Sequence, residues 1–404
     1  LESLFVFGTK PDNLREVVET LKQEKQDEIS IGDLFEINPD VKDKPLIIPV
    51  YKLSDSIIAE ERDVIKFQIN PDDYDLVKNY FNYIGDKIAV VKFDCNISVL
   101  NKVKQVFEDK EEKKNLFLYD EDISQIYKPE LLLRNIFNHF NNRAEELDKF
   151  KNLEEEIIHF KRITVSVKEL NSIREKINKV KRVRDKDNIK KNLMEKLERK
   201  EITIDEYTSA IEKITRESSE KEVYKELTIE LLQNHYYIPV ILSKPEKVDY
   251  IKHIIKTESE VNFLKDLEEY LKKEDNFFKK FDWWYFSKID ETLDSVYIPY
   301  YQPKTNRIEK FKPDFIFWLK KGNQYIILFV DPKGTEHTDA YRKIDGYSRI
   351  FEIEKNGQRR SKVFSYGEYN IETKLLLKTK DKAKVLNEYE KYWFDNLDDL
   401  MKKI

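Results

Sequence analysis

The sequence predicts a multidomain α/β protein, and three observations carry that expectation. Short apolar runs alternate with amphipathic stretches near the N-terminus and again after His235. Between Pro129 and Leu232 a long stretch holds one Pro and no Gly, with apolar residues such as Ile173, Ile177 and Val180 at near-helical spacing. The length, 404 residues, exceeds what one ordinary domain needs, so two to four cores are expected.

In chain order, Leu4–Phe7, Leu46–Tyr51 and Ile88–Phe93 read as strands, and Asn13–Lys25 and Asp72–Ile84 as amphipathic helices. The stretch from Pro129 to Leu232 reads as helical. Within it, Lys179–Lys200 carries ten Lys or Arg against four acids, which suits either a solvated helix face or a phosphate-contacting face, the latter including Lys181 and Arg182. Tyr236–Leu242 is strand-like, Pro245 breaks the chain, and Thr257–Lys273 is helical. Strands follow at Val296–Tyr301, Arg307–Leu319 and Tyr325–Lys333, then a helix over Asp339–Glu354, strands near Val363 and Leu375, and a terminal helix from Lys382. The expected division is residues 1–125 as a small α/β region, 126–234 as a helical connector and 235–404 as an α/β domain.

Composition removes several function classes. The 73 Lys plus Arg against 78 Asp plus Glu give a net charge of −5, and 37% charged with 40% hydrophobic residues describes a densely charged surface over a real core. Cys95 is the single cysteine, so no intrachain disulfide is possible and a reducing, cytoplasmic setting is expected. No apolar run approaches the ~20 residues of a membrane span. Eight glycines occur and none lies within nine residues of another, which excludes the glycine-rich nucleotide loops and the nucleophile elbow. The first residue is Leu, which suggests a piece of a longer protein.

The chemistry concentrates in Phe311–Leu319 and Gln324–Lys333, two apolar strands that each carry an acid. A hairpin closed around Lys321 and Gly322 would set Asp314 opposite Phe329, with Asp331 its diagonal neighbour about 7–8 Å away. Two converging carboxylates repel unless a cation joins them. Oxygen-only donors suit Mg²⁺, with Mn²⁺ as a substitute, and Lys333 on the same strand face would supply fixed positive charge to an attacking water or scissile phosphate. An Asp and a Lys at strand ends are also what a solvated surface presents. Glu260 shares a helical stripe with Phe263, Leu264 and Leu267, so it either enters the site as a metal ligand or water-orienting acid, or closes a capping box with Thr257. His337 and Lys343 lie just beyond the second strand, where each could touch a DNA backbone or remain solvated.

The runs Trp284–Asp290, Tyr297–Tyr300, Lys312–Trp318, Phe329–Gly334 and Lys343–Tyr347 resemble the nuclease domain of the PD-(D/E)XK superfamily. More narrowly they resemble the C-terminal region of the restriction subunit of type III restriction enzymes, a helicase-nuclease. The resemblance covers roughly residues 235–360 and implies a mixed sheet flanked by helices. By position it implies Asp314 as the first acid, Asp331 as the D/E, Lys333 as the lysine and Glu260 as the acid on the preceding helix. It further implies Mg²⁺-dependent cleavage of double-stranded DNA, ATP used only by a helicase domain upstream, and a methyltransferase partner subunit. Leu4–Pro11 resembles the end of such a helicase lobe. Two other readings stand beside it: a non-catalytic module docking DNA or a subunit, and the nuclease of a defence helicase acting on RNA or branched DNA.

Overall fold

A computed structural model describes residues 27–57, 67–108, 117–119, 129–141, 143–244, 246–302, 307–332, 340–355, 358–378, 385 and 387–404. The expected strand Leu4–Phe7 and helix Asn13–Lys25 lie outside these residues, as do Pro245, Lys333 and His337. The protein is of mixed α/β class, as the alternation of apolar runs predicts.

The N-terminal elements are strand β1 (Ile47–Ile57) and helices α1 (Pro71–Lys92), α2 (Ile97–Glu108) and α3 (Pro129–Asn141). The three helices bury Tyr74, Phe81, Val103, Phe107, Ile136 and Phe137 in a core of their own. Ile88–Phe93, expected as a strand, is the end of α1. A six-residue apolar run does not tell a strand from one turn of buried helix, and here Gly85 at φ +71° breaks the preceding helix so that a second segment can start.

The stretch expected to be helical is mixed. It opens with strand β2 (Arg143–Asn152), which pairs antiparallel with β1, and continues into helices α4 (Leu170–Glu198) and α5 (Ile204–Glu217). Strands Lys221–Tyr224, Leu227–Glu230 and Val240–Ser243 then form a small sheet. The strand-like run 236–242 is divided at Pro239, which cannot donate to a ladder.

The C-terminal part is built on one six-stranded sheet. Helix α6 (Glu258–Leu271) precedes strand β3 (Trp283–Lys288). A separate hairpin, β4 (Ile298–Gln302) and β5 (Arg307–Phe311), leads to β6 (Phe315–Lys321) and β7 (Gln324–Asp331). The chain expected as one strand over Arg307–Leu319 is thus cut at Lys312–Pro313–Asp314. Helix α7 (Ala340–Phe351), a hairpin of β8 (Glu352–Lys355) and β9 (Gln358–Ser361), then β10 (Phe364–Tyr366), β11 (Tyr369–Lys378), β12 (Trp393–Phe394) and α8 (Leu397–Lys402) complete it. Where a helix was expected from Lys382, the described residues form a 3-10 turn over Asn387–Tyr392 before β12.

Strand order is β3-β6-β7-β11-β10, with β12 also on β11. The β3, β6 and β7 strands run antiparallel in sequence, and β11 returns parallel to β7 after the α7 crossover. Both faces are covered. On one, α6 sets Phe263 against Phe315 and Phe317, at ring centroids of 5.0 and 6.2 Å. On the other, Tyr347 of α7 donates to Thr373 O, and Trp318 Nε1 donates to Ile47 O of β1. Trp318, Tyr325, Phe315, Phe317 and Phe329 are fully buried between these layers, which explains why β6 and β7 read as near-continuous apolar runs.

Candidate active site

Three charged side chains, Glu260, Lys288 and Asp314, meet at one end of the central sheet, and Asp331 ends a strand of the same sheet. Asp331 closes β7, Asp314 immediately precedes β6, Lys288 closes β3, and Glu260 lies in the first turn of α6. All four are buried: 9% of Asp331, 6% of Asp314, 9% of Lys288 and 3% of Glu260 is exposed. Charged residues are almost never buried without a counter-charge, so their placement is the strongest polar feature of this sheet.

The register differs from expectation. Lys321 faces Gln324, so the turn is the two residues Gly322 and Asn323, with Gly322 at φ +55°. Phe329 therefore faces Ile316, not Asp314, and the last ladder pair is Phe315 with Val330. The ladder ends there: Asp314 immediately precedes β6 with its side chain 3.1 Å from Lys288 Nζ, while Asp331 is the last residue of β7 and faces Leu377 of β11. Ile289 N donates to Asp314 O at 2.8 Å, which continues the β3–β6 pairing past the ladder and fixes the main chain of Asp314.

Glu260 goes to this cluster rather than to its own helix end. Thr257 makes no side-chain capping bond, while Glu260 Oε2 stands 3.2 Å from Lys288 Nζ. A capping box does form at Thr203 and Glu206, opening α5. Glu260 enters the core because it sits on the stripe that buries Phe263, Leu264 and Leu267.

Lys288 was not singled out from the sequence. Its Nζ lies 3.1 Å from Asp314 Oδ1 as well as 3.2 Å from Glu260 Oε2, so one ammonium joins the two acids. It also sits 5.6 Å from the centroid of Phe315. A signal was present: Lys288 ends the strand Trp283–Lys288, whose alternation sets it on the buried face with Trp284 and Phe286. Behind it, the fully buried His235 accepts the Lys288 backbone N–H through Nε2 at 3.2 Å. Burial lowers the His235 pKa to about 3, so the ring is neutral and can accept.

The remaining candidates lie elsewhere. Lys343 on α7 packs its Nζ 4.5 Å from the centroid of Phe311. Lys181 and Arg182 on α4 are engaged with Glu36 at 3.3 Å and Glu217 at 3.2 Å, away from the sheet end. Lys333 and His337 fall outside the described residues. No group of three or more His, Cys, Asp or Glu side chains among the described residues is close enough to hold a metal ion. The donors at the sheet end are nonetheless all carboxylate oxygens, the kind that hard dications take, and Mg²⁺ is commonly held by one or two carboxylates with substrate phosphate completing its shell.

These observations define an α/β protein with an acidic cluster at the end of a mixed sheet. A model of the YagJ family matches residues 251–395, the segment from just before α6 to just after β12, which is well under half of the chain. No curated protein and no solved structure matches the chain. Among the described residues no helix is long and apolar enough to cross a membrane.

Proposed function

We propose that the C-terminal part is a metal-dependent nuclease that hydrolyses DNA phosphodiester bonds. The observation that carries this reading is the placement of two buried aspartates at the ends of neighbouring strands, Asp314 just before β6 and Asp331 at the end of β7, with Glu260 of α6 and Asp314 joined through Lys288. Asp314 and Asp331 are the residues that would hold Mg²⁺ or Mn²⁺, with Glu260 beside them. When bound, such an ion polarises the phosphate and lowers the pKa of its water.

The protein's own groups do the rest. β7 holds Asp331 and the Ile289 N–H holds the main chain of Asp314 just before β6, so little backbone reorganisation is needed when phosphate arrives. Lys288 neutralises Glu260 and Asp314, so a cation held by Asp314 would share that carboxylate with the ammonium. Lys333, two residues beyond Asp331 in sequence, supplies charge to the attacked phosphate. Glu260, anchored on Lys288, orients the attacking water. The resemblance to type III restriction subunits extends the reading to a helicase-nuclease with ATP-driven translocation upstream and a methyltransferase partner, with double-stranded DNA as substrate in a cytoplasmic setting.

A second reading is favoured by one feature: the Lys288 ion pairs give the acids a stable arrangement without any metal, as a DNA- or subunit-docking module with a nuclease-like fold would need. Incubation of supercoiled plasmid, linear duplex, branched DNA and RNA with Mg²⁺ or Mn²⁺ separates them. The nuclease reading expects scission, lost by at least ~100-fold in Asp331→Asn with DNA binding retained. Absence of scission of every substrate with either ion contradicts it. Cleavage confined to RNA or branched DNA would assign the site to a defence helicase of another type.

A further inference from the structure

A second polar cavity lies on the far side of β11 and does not include the acidic cluster. β10 pairs with β11 only as far as Ile371, and β12 begins pairing at Leu377. Between them the outer edge of β11 has no strand partner among the described residues, and a cavity of about 450 Å³ opens there. Its size suits a small ligand rather than a single ion.

The lining is strongly cationic. Among the described residues that line it, Arg359, Arg360, Lys374, Lys391 and Lys403 stand with the acids Glu352 and Glu372, and Asp345 lies behind Arg359. Internal pairing accounts for part of this charge. Lys391 Nζ bonds Glu352 Oε1 at 2.7 Å, and Tyr392 Oη takes the other oxygen of the same carboxylate. Lys403 Nζ donates to Glu390 O at 2.9 Å and Trp393 O at 2.6 Å.

Two cations are less well satisfied. Lys374 Nζ stays 3.8 Å from Glu372 Oε2, longer than a hydrogen bond. Arg359 bonds Tyr392 and is paired with Asp345 Oδ1 at 3.5 Å, but its Nη1 is buried without a hydrogen bond of its own. A buried guanidinium nitrogen left in this state costs at least about 1–3 kcal/mol relative to a bonded one. An anion with several oxygens offers acceptors to both cations at once, and the fork of an arginine matches phosphate oxygens two at a time.

We infer that this cavity is a binding site for a small phosphorylated ligand of about mononucleotide size. The inference is independent of the nuclease reading, since none of Glu260, Lys288, Asp314 or Asp331 lines the cavity. The same phosphate chemistry could come from a free nucleotide or from the phosphorylated end of a nucleic acid strand.

Isothermal calorimetry on the full chain separates these. The titrants are pyrophosphate, adenosine monophosphate, and a short oligonucleotide with either a 5′-phosphate or a 5′-hydroxyl. Binding of pyrophosphate and the mononucleotide is expected, weakened at least tenfold in Lys374→Gln and in Arg360→Glu and unchanged in Asp331→Asn. Both cavity variants are partly exposed positions, and their circular dichroism and melting curves should match the parent. Binding of only the 5′-phosphorylated oligonucleotide supports the site and makes a strand end its source. Failure of every phosphate titrant to bind, equal binding in both variants, or preference for an oligoglutamate peptide over pyrophosphate overturns the inference.

Discussion

At the level of single residues, Lys288 decides how the acidic cluster behaves without metal. Its ammonium lies within 3.2 Å of Glu260 and 3.1 Å of Asp314, with all three side chains at most about a tenth exposed. Removing one member of a buried ion pair costs on the order of 3–5 kcal/mol, because the charge left behind has lost its counter-charge. Lys288→Met is therefore expected to lower stability by that order, and Mg²⁺ or Mn²⁺ should restore more stability to the variant than to the parent. Melting curves with and without the ions test this, and a destabilised variant indifferent to both ions would tell against a metal site. The acid positions were legible because aspartates in wholly apolar strands, and a glutamate in a buried helical stripe, contradict their surroundings. Lys288 was not, since its role depends on which strand lies beside β6, and strand order is not written in any single segment. Whether Glu260 capped its helix was likewise open in the sequence; its capture by Lys288 comes from a strand 28 residues away.

At the level of elements, two glycines carry backbone constraints that position the site. Gly322 turns the β6–β7 hairpin at φ +55°, a conformation that costs a residue with a side chain about 1–2 kcal/mol. That two-residue turn sets the β6–β7 register, which ends at Phe315 with Val330 next to Asp314 and Asp331, so Gly322→Val should reduce both stability and scission. On α7, a Cβ at Gly346 would fall 2.5 Å from Tyr300 Cβ and 2.7 Å from Pro299 O. Gly346→Ala is expected to destabilise by about 1–3 kcal/mol as α7 is pushed off β4. Chemical denaturation of both variants measures the effect, and unchanged midpoints would mean these elements are not held as described. The helices α6 and α7 and strands β6, β7 and β11 were readable from periodicity and turn residues. The β1–β2 pair was not, because Arg143–Asn152 has the composition of an exposed helix and becomes a strand only by pairing with β1.

At the level of the whole molecule, one hydrophobic core joins residues from Ile31 to Met401 and encloses the mixed sheet, while α1, α2 and α3 keep a second core. His235 belongs to the larger core and couples its stability to pH. Its pKa is about 3 in the fold against an ordinary value near 6.5. The folded state therefore binds the proton less well than the unfolded chain, so the contribution is complete above about pH 6.5 and is lost as pH falls toward 3. Stability of the parent relative to His235→Gln should decline by about 1.4 kcal/mol per pH unit across the acidic part of that window. Parallel stability curves for the two proteins would contradict a buried neutral imidazole.

The central claim, that Asp314 and Asp331 jointly hold one divalent cation, is tested most directly by calorimetric titration of Mn²⁺ into the parent, Asp314→Asn and Asp331→Asn. The account predicts one site in the parent and its loss in each variant, with the fold unchanged by circular dichroism. Equal Mn²⁺ binding by all three proteins, or none by the parent in the presence of duplex DNA, would contradict it.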